Sequence, residues 1–181
     1  MVNIMKLCSF LPSATEIIYE LGLSEMLCGV SHECNYPKAV IDKPKVVKSR
    51  FETTGLTGGE IDHLVSNTLA KGETLYEIDE ELVNYIQPDL VFTQALCEVC
   101  AVSYDHVSKI MRDLGIQAQI VSLDPHRLED VLKDITEIGK RTGTTRKAET
   151  LVDKLETKIA SIRSLTSKTE HRPKVACLEW L

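Results

Sequence analysis

Hydrophobic and polar residues along the first two thirds of the chain form blocks that predict strands and helices in alternation. Apolar runs of strand length occur at residues 5–10, 27–31, 45–48, 89–94 and 117–124. Between them lie segments with apolar residues at helical spacing, at residues 11–23, 60–71, 79–87 and 103–115. Because strands that alternate with helices favour parallel pairing, the pattern predicts an α/β fold, a parallel β-sheet with helices on both faces.

Local signals place the ends of several predicted helices. Ser13 and Glu16 fit the S-x-x-E capping box for the first helix, and Gly22 is placed to end it. A later helix is expected to end before Pro88, which cannot continue the hydrogen-bond ladder, and Ser103 is expected to cap the helix that follows.

The pattern changes after Pro125. Residues 127–166 predict two long helices with a break at Gly143, and the second helix carries an apolar stripe at positions 148, 151, 152, 155, 159 and 162. The final run, KVACLEWL, is strand-like. An apolar strand at the end of a chain has a free edge, so it is expected either to open a second domain or to pair with another copy in a homodimer.

Composition narrows the function classes. The chain has 181 residues, of which 43% are hydrophobic and 27% charged, with a formal net charge of −6. No basic stripe is present for a phosphate backbone to follow, so nucleic acid is not an expected partner. The start, MVNIMKLCSF, has no signal-peptide pattern. As written the chain is expected to be cytoplasmic, and extracytoplasmic if a signal was removed.

Candidate metal ligands follow the predicted strands. The loops after the first, second and fourth strands lie at the carboxyl edge of a parallel sheet, where ligands of such sheets bind. This places His32 and Cys34 on the same rim as the C-x-x-C pair, Cys97 and Cys100. One histidine and three cysteines are a set that suits tetrahedral zinc, although H-x-C is closer than the usual spacing.

The same C-x-x-C pair admits a redox interpretation. A pair between a strand and a helix N-terminus has the position used by thioredoxin-like enzymes, but the intervening residues, Glu98 and Val99, do not match that site. The other cysteines, Cys8, Cys28 and Cys177, stand in apolar runs and are interpreted as small buried side chains. No nucleophile triad, G-x-G-x-x-G or P-loop pattern is present, so no enzyme is predicted.

Several stretches together resemble a known family, the cobalamin-type substrate-binding proteins of ABC importers, whose two lobes are joined by a long rigid helix. The stretches are LPSATEIIYELGL, GVSHECNYP, PDLVFTQ, and the long helix followed by RPKVACLEWL. The resemblance implies that residues 1–125 form an N-terminal α/β lobe, that residues 126–168 form the helical backbone, and that residues 169–181 begin a C-terminal lobe.

The resemblance also implies a function, a binding protein for cobalamin or another corrinoid that serves an ABC-importer permease and is not an enzyme. The residues expected to line the ligand are Pro12, Ser13, His32, Glu33, Tyr36 and Gln94. His32 suits packing or hydrogen bonding, and neutral imidazole also suits cobalt. Two alternatives remain: a binder of zinc, iron or a metal chelate through His32, Cys34, Cys97 and Cys100, and a thiol redox protein.

Overall fold

The computed structural model describes residues 4–94, 102–170 and 172–178. Within these residues, six strands form one sheet in the order β4-β3-β2-β1-β5-β6. The strands are β1 (Leu7–Ser9), β2 (Leu27–Ser31), β3 (Lys45–Ser49), β4 (Tyr76–Ile78), β5 (Leu90–Thr93) and β6 (Gln119–Ser122). The helices are α1 (Pro12–Glu20), α2 (Gly58–Ala70), α3 (Glu80–Ile86), α4 (Tyr104–Asp113), α5 (Leu128–Arg141) and α6 (Thr145–Ser167).

Strands and helices alternate as the hydrophobic pattern predicts, except that only a 3-10 turn, Lys38–Val40, separates β2 from β3 and that an extra strand forms at the sheet edge. β1, β2, β3, β5 and β6 pair in parallel with their neighbours, whereas β4 pairs antiparallel to β3. The sequence pattern missed β4, because this strand has three residues and places the exposed Glu77 at its centre. Only its pairing with β3 makes it a strand.

Helices cover both faces of the sheet, which confirms the predicted α/β architecture. On one face, Leu7, Leu90 and Phe92 pack with buried residues of α1, α5 and α6. On the other face, Cys8 and Val91 pack with buried residues of α3 and α4. Because neighbouring residues of a strand point to opposite faces, short strands without polar interruptions are needed to fill both layers.

Two helix caps match the sequence prediction and one does not. Ser103 caps α4 by accepting a hydrogen bond from the His106 backbone N–H, and Gly22 ends α1 with φ 73°. The predicted capping box at the start of α1 is wrong: Leu11 is the N-cap, with no side-chain cap bond. Pro12 occupies the first turn, where its fixed φ suits the helix, and this moves Ser13 inside it.

The C-terminal part of the chain follows the prediction as far as α6. A left-handed Gly143, with φ 71°, separates α5 from α6. Along the apolar stripe of α6, Ala148 is buried, whereas Ile162 is 51% exposed. The predicted terminal strand is not formed in residues 172–178, which have no regular structure and are exposed. A strand needs a neighbour for its N–H and C=O groups, and none of the described sheet edges pairs with this segment.

No helix in the described parts of the chain combines the length and the hydropathy that crossing a membrane requires.

Candidate ligand-binding site

The carboxyl edge of the sheet forms the candidate site. The five parallel strands all end there, and β1 lies in the middle with β2 on one side and β5 on the other. The chain passes from β1 to β2 and β3 in one direction, and later fills β5 and β6 in the other. In open α/β sheets, ligands bind in the crevice at such a change of direction.

Every parallel strand ends at this edge with a hydroxyl residue, and the hydroxyls shape the loops. These residues are Ser9, Ser31, Ser49, Thr93 and Ser122. The Ser9 hydroxyl donates to the Leu11 carbonyl at 2.8 Å, and the Glu33 N–H donates to the Ser31 hydroxyl at 3.3 Å. Such local bonds replace the sheet ladder and turn the chain across the edge. We name the loops that begin at these residues the rim.

His32 is the best-defined polar residue of the rim. Its backbone N–H donates to the Val47 carbonyl at 2.9 Å, which fixes it beside β3. Its Nε2 lies 3.2 Å from Oε1 of Glu33, and its ring centroid lies 5.9 Å from that of Tyr76 at an interplanar angle of 49°. The imidazole therefore has a defined orientation at the carboxyl edge.

Tyr76 is the site residue that sequence analysis missed. It begins β4 and pairs with Ser49 at the end of β3, so the antiparallel strand brings it to the rim beside His32. The available signal was an aromatic residue after a glycine turn, but the strand was too short to be recognised. Tyr76 also lines a cavity of about 270 Å³ whose other lining residues are Leu69, Gly72, Glu73, Thr74, Val102 and Ser103.

The structure places all six predicted ligand-binding residues at the carboxyl edge, on loops or in the first turn of α1. Pro12 and Ser13 begin α1 and are exposed, and Tyr36 is 61% exposed in the loop after β2. Gln94 directly follows β5 and forms an isolated parallel bridge with Ser103. Their role in binding stays a prediction.

The predicted metal set is described only in part. Cys34 is 1% exposed, and its Sγ lies 3.1 Å from the Thr15 hydroxyl. Burial raises the pKa of the Cys34 thiol above its ordinary value. Cys97 and Cys100 lie outside the described residues. In the described ranges no group of three or more His, Cys, Asp or Glu side chains suits a metal ion, so the four-residue site stays a prediction.

Three basic side chains near the rim are already engaged. Lys45 donates to the carbonyls of Cys34 and Val40, at 3.1 and 3.2 Å. Lys48 donates to the Asp79 carboxylate at 3.4 Å, and Arg50 donates to the Thr74 carbonyl at 3.1 Å. These cations stabilise the loops and the sheet edge, and an anionic ligand would have to displace those contacts.

Asp134 on α5 makes the stability of the protein depend on pH, because two other carboxylates lie near it. Burial, followed by the nearby carboxylates of Asp124 and Asp130, raises the pKa of Asp134 from 3.8 to about 6. The folded state disfavours the charged form of Asp134. The stabilisation that the protonated carboxyl contributes is therefore fully present below about pH 4 and is lost as the pH rises through about 6. We expect Asp134→Asn to raise the free energy of unfolding by about 1 kcal/mol at pH 7.5, after discounting for solvent screening, and to change it little at pH 4.

Urea unfolding of both proteins between pH 4 and pH 8 checks this effect. Asp62→Asn, on an exposed position of α2, removes one negative charge elsewhere and is the matched control. Equal stabilisation by the two substitutions would mean that net charge, and not the local environment of Asp134, is responsible.

Comparison with known proteins identifies the family of the chain. The chain belongs to the periplasmic binding protein family, which it matches over residues 9–180. It is 28% identical, over 158 residues, to an uncharacterized ABC transporter substrate-binding lipoprotein of Bacillus subtilis, YvrC, with 87% of this chain and 40% of that protein covered. The chain thus spans less than half the length of this curated relative.

Solved structures have the same fold. One is the periplasmic heme-binding protein RhuT of Roseiflexus sp. RS-1 in apo form, with a TM-score of 0.65 and 19% identity, covering 94% of this chain and 53% of that chain. Another is the periplasmic vitamin B12 binding protein BtuF of Vibrio cholerae, with a TM-score of 0.63 and 17% identity, covering 90% and 51%. At these identities the likeness establishes the fold.

Proposed function

We propose that the protein is the substrate-binding component of an ABC importer for cobalamin or a related corrinoid, and that this chain supplies one lobe of the binding site. The observation that carries the proposal is the contact between His32 and Tyr76 at the carboxyl edge of the sheet, where His32 follows β2, the neighbour of β1. Two rings at this edge suit a large, flat, partly apolar ligand. Binding, and not catalysis, is the activity that this arrangement supports.

The polar groups of the rim suit the periphery of a corrinoid. A corrinoid carries carboxamide side chains, which both donate and accept hydrogen bonds. Glu33, with its side chain 60% exposed, is an acceptor for amide N–H groups, and Gln94 provides both a donor and an acceptor. Tyr36 adds an exposed ring with a hydroxyl at its tip. His32 contributes its ring face, and its Nε2 is also a candidate ligand for cobalt.

The exposed Glu33 carboxylate beside His32 weighs against heme at this part of the rim. Heme carries two carboxylates, which usually need free Arg or Lys partners. Lys45, Lys48 and Arg50 already donate to carbonyl or carboxylate groups of the protein. The exposed Glu33 carboxylate would repel a propionate. Similar folds are named both as heme-binding and as vitamin B12-binding proteins, so the ligand has to be decided by experiment.

The remaining parts of the proposal concern the whole protein. The relative from Bacillus subtilis is named as a lipoprotein of an ABC transporter, which supports an extracytoplasmic location and a permease partner. We further propose that residues 1–125 form the first lobe, that residues 126–168 form the helical backbone, and that residues 169–181 begin a second lobe. The exposed Ile162 and Leu165 of α6, and the apolar residues after it, are surfaces that such a lobe would cover.

Spectral titration of the two-lobed protein with cyanocobalamin, hydroxocobalamin and hemin tests the ligand. We expect a dissociation constant of micromolar or tighter for a cobalamin. His32→Ala should weaken it about tenfold, because one well-placed contact contributes on the order of 1.4 kcal/mol. A change in the absorption spectrum on binding of hydroxocobalamin, but not of cyanocobalamin, would indicate that Nε2 of His32 ligates the cobalt.

The control is His63→Ala on α2, whose imidazole accepts a hydrogen bond from Asn67 at 2.9 Å on an exposed surface. It should leave the affinity unchanged. Hemin binding without cobalamin binding would reject the corrinoid but keep the binding role. Stoichiometric zinc or iron in the purified protein, lost on substitution of Cys34, Cys97 or Cys100, would favour the metal-binding alternative instead.

A further inference from the structure

A directed chain of buried hydrogen bonds links the loops after β1 and β2. Ser9, Thr15 and Cys34 are 0%, 0% and 1% exposed. The Ser9 hydroxyl donates to the Leu11 carbonyl, and the Thr15 hydroxyl donates to the Ser9 oxygen, both at 2.8 Å. With both hydroxyl protons used, the Thr15 oxygen can only accept at its 3.1 Å contact with the Cys34 sulfur. The Cys34 thiol is therefore the first donor in this series of hydrogen bonds.

The backbone of Cys34 is held on both sides as well. Its N–H donates to the Ser31 carbonyl at 3.0 Å, and its carbonyl accepts from the Lys45 ammonium at 3.1 Å. The same ammonium donates to the Val40 carbonyl at 3.2 Å, so it fastens two points of the loop between β2 and β3. Among these anchors only the thiol reaches α1, which starts from the neighbouring rim loop.

We propose that Cys34 is a positioning residue, whose thiol fastens the loop carrying His32, Glu33 and Tyr36 to Thr15 of α1 and so keeps the rim ordered for its ligand. This inference rests on the proposed function in that the rim is taken to be the ligand site. A thiolate bound to a metal has no proton to give, so the role differs from the metal-ligand role predicted from the sequence. Removing the thiol leaves the buried Thr15 oxygen without its donor.

Amide hydrogen exchange tests the positioning role without any ligand. In the whole protein, Cys34→Ala should speed exchange of the amides of residues 32–36 about tenfold, the loss expected for one hydrogen bond. Cys34→Ser, which restores a donor, should recover most of that protection. Amides of β6, remote from the loop, should not change in either variant. Equal exchange rates at residues 32–36 in the wild type and both variants would overturn the proposal.

A double-mutant cycle separates the hydrogen bond from simple loss of volume. Thr15→Val removes the acceptor at nearly constant shape. In its presence, Cys34→Ala should change loop exchange by less than about threefold, because the bond is already gone. If the tenfold effect of Cys34→Ala persists in the Thr15→Val protein, the side chain only fills space and the proposal is wrong.

Cyanocobalamin titration tests whether the anchored loop contributes to ligand affinity. Cys34→Ala should weaken affinity about tenfold and Cys34→Ser less than about threefold, at a temperature where urea titration shows both variants fully folded. Wild-type affinity in Cys34→Ala despite a loosened loop would overturn the positioning role. If the wild type binds no cobalamin, the proposed function fails while the exchange measurements still decide the role of Cys34. Bound zinc that is lost equally in the Ala and Ser variants would also overturn the positioning role of Cys34.

Discussion

Phe92→Ala is expected to lower the free energy of unfolding by about 4 kcal/mol, the largest effect of any single substitution considered for this protein. Phe92 lies in β5 beside β1, is 0% exposed, and packs in the core layer formed with α1, α5 and α6. Truncation removes a large apolar side chain and leaves a cavity that two paired neighbouring strands prevent from closing. Urea unfolding followed by circular dichroism measures the loss.

Tyr85→Ala is the matched control for this prediction. Tyr85 lies on α3 and is 85% exposed, so removing its ring should change the free energy of unfolding by less than about 0.5 kcal/mol. A loss of less than 1 kcal/mol for Phe92→Ala would contradict the packing of β5 between β1 and β6 under the helices of that face.

Two glycine-to-alanine substitutions are expected to change the free energy of unfolding in opposite directions. Gly139 on α5 faces α6, and a Cβ placed there would lie far inside van der Waals contact with the Cβ of Ala148. Ala148 is the buried residue of α6, so this close approach is what seats the long helix. We expect Gly139→Ala to destabilise the protein by about 2 kcal/mol, although alanine is the better helix former, because helix α6 has to move away.

Gly59 on α2 supplies the contrast. A Cβ at this position has nothing within 4 Å, so Gly59→Ala should raise the free energy of unfolding by about 0.5 to 1 kcal/mol through helix propensity alone. Urea unfolding of both variants and the wild type measures the two changes in the free energy of unfolding. Stabilisation by Gly139→Ala would mean that α6 does not pack closely on α5.

Most of the fold is readable from the sequence because its signals are local. The apolar runs that become β1, β2, β3, β5 and β6 are strands, and helical spacing marks the segments between them except the one from β2 to β3. Ser103 and Gly143 mark helix boundaries through their own backbone chemistry. Such features need no knowledge of what lies across the sheet.

The rim was readable only in part. Since parallel strands share a carboxyl edge, the loops holding Pro12, His32 and Gln94 were expected at one place, and the structure puts them there. What spacing along the chain does not reveal is the direction of each side chain. His32 and Cys34 are two residues apart, yet the imidazole lies beside Tyr76 and the thiol is buried against Thr15.

The sequence by itself determined the alternation of strands and helices, the positions of the turns, and the family resemblance, because each depends on residues close together in the chain. Only the tertiary structure decided that residues 76–78 form an antiparallel strand, that Tyr76 meets His32, and that the Cys34 thiol contacts Thr15 of α1. The terminal segment belongs to the same group, since residues 172–178 are strand-like in composition but unpaired. These features depend on hydrogen-bond partners and ring contacts supplied by distant parts of the chain, which a local pattern does not contain.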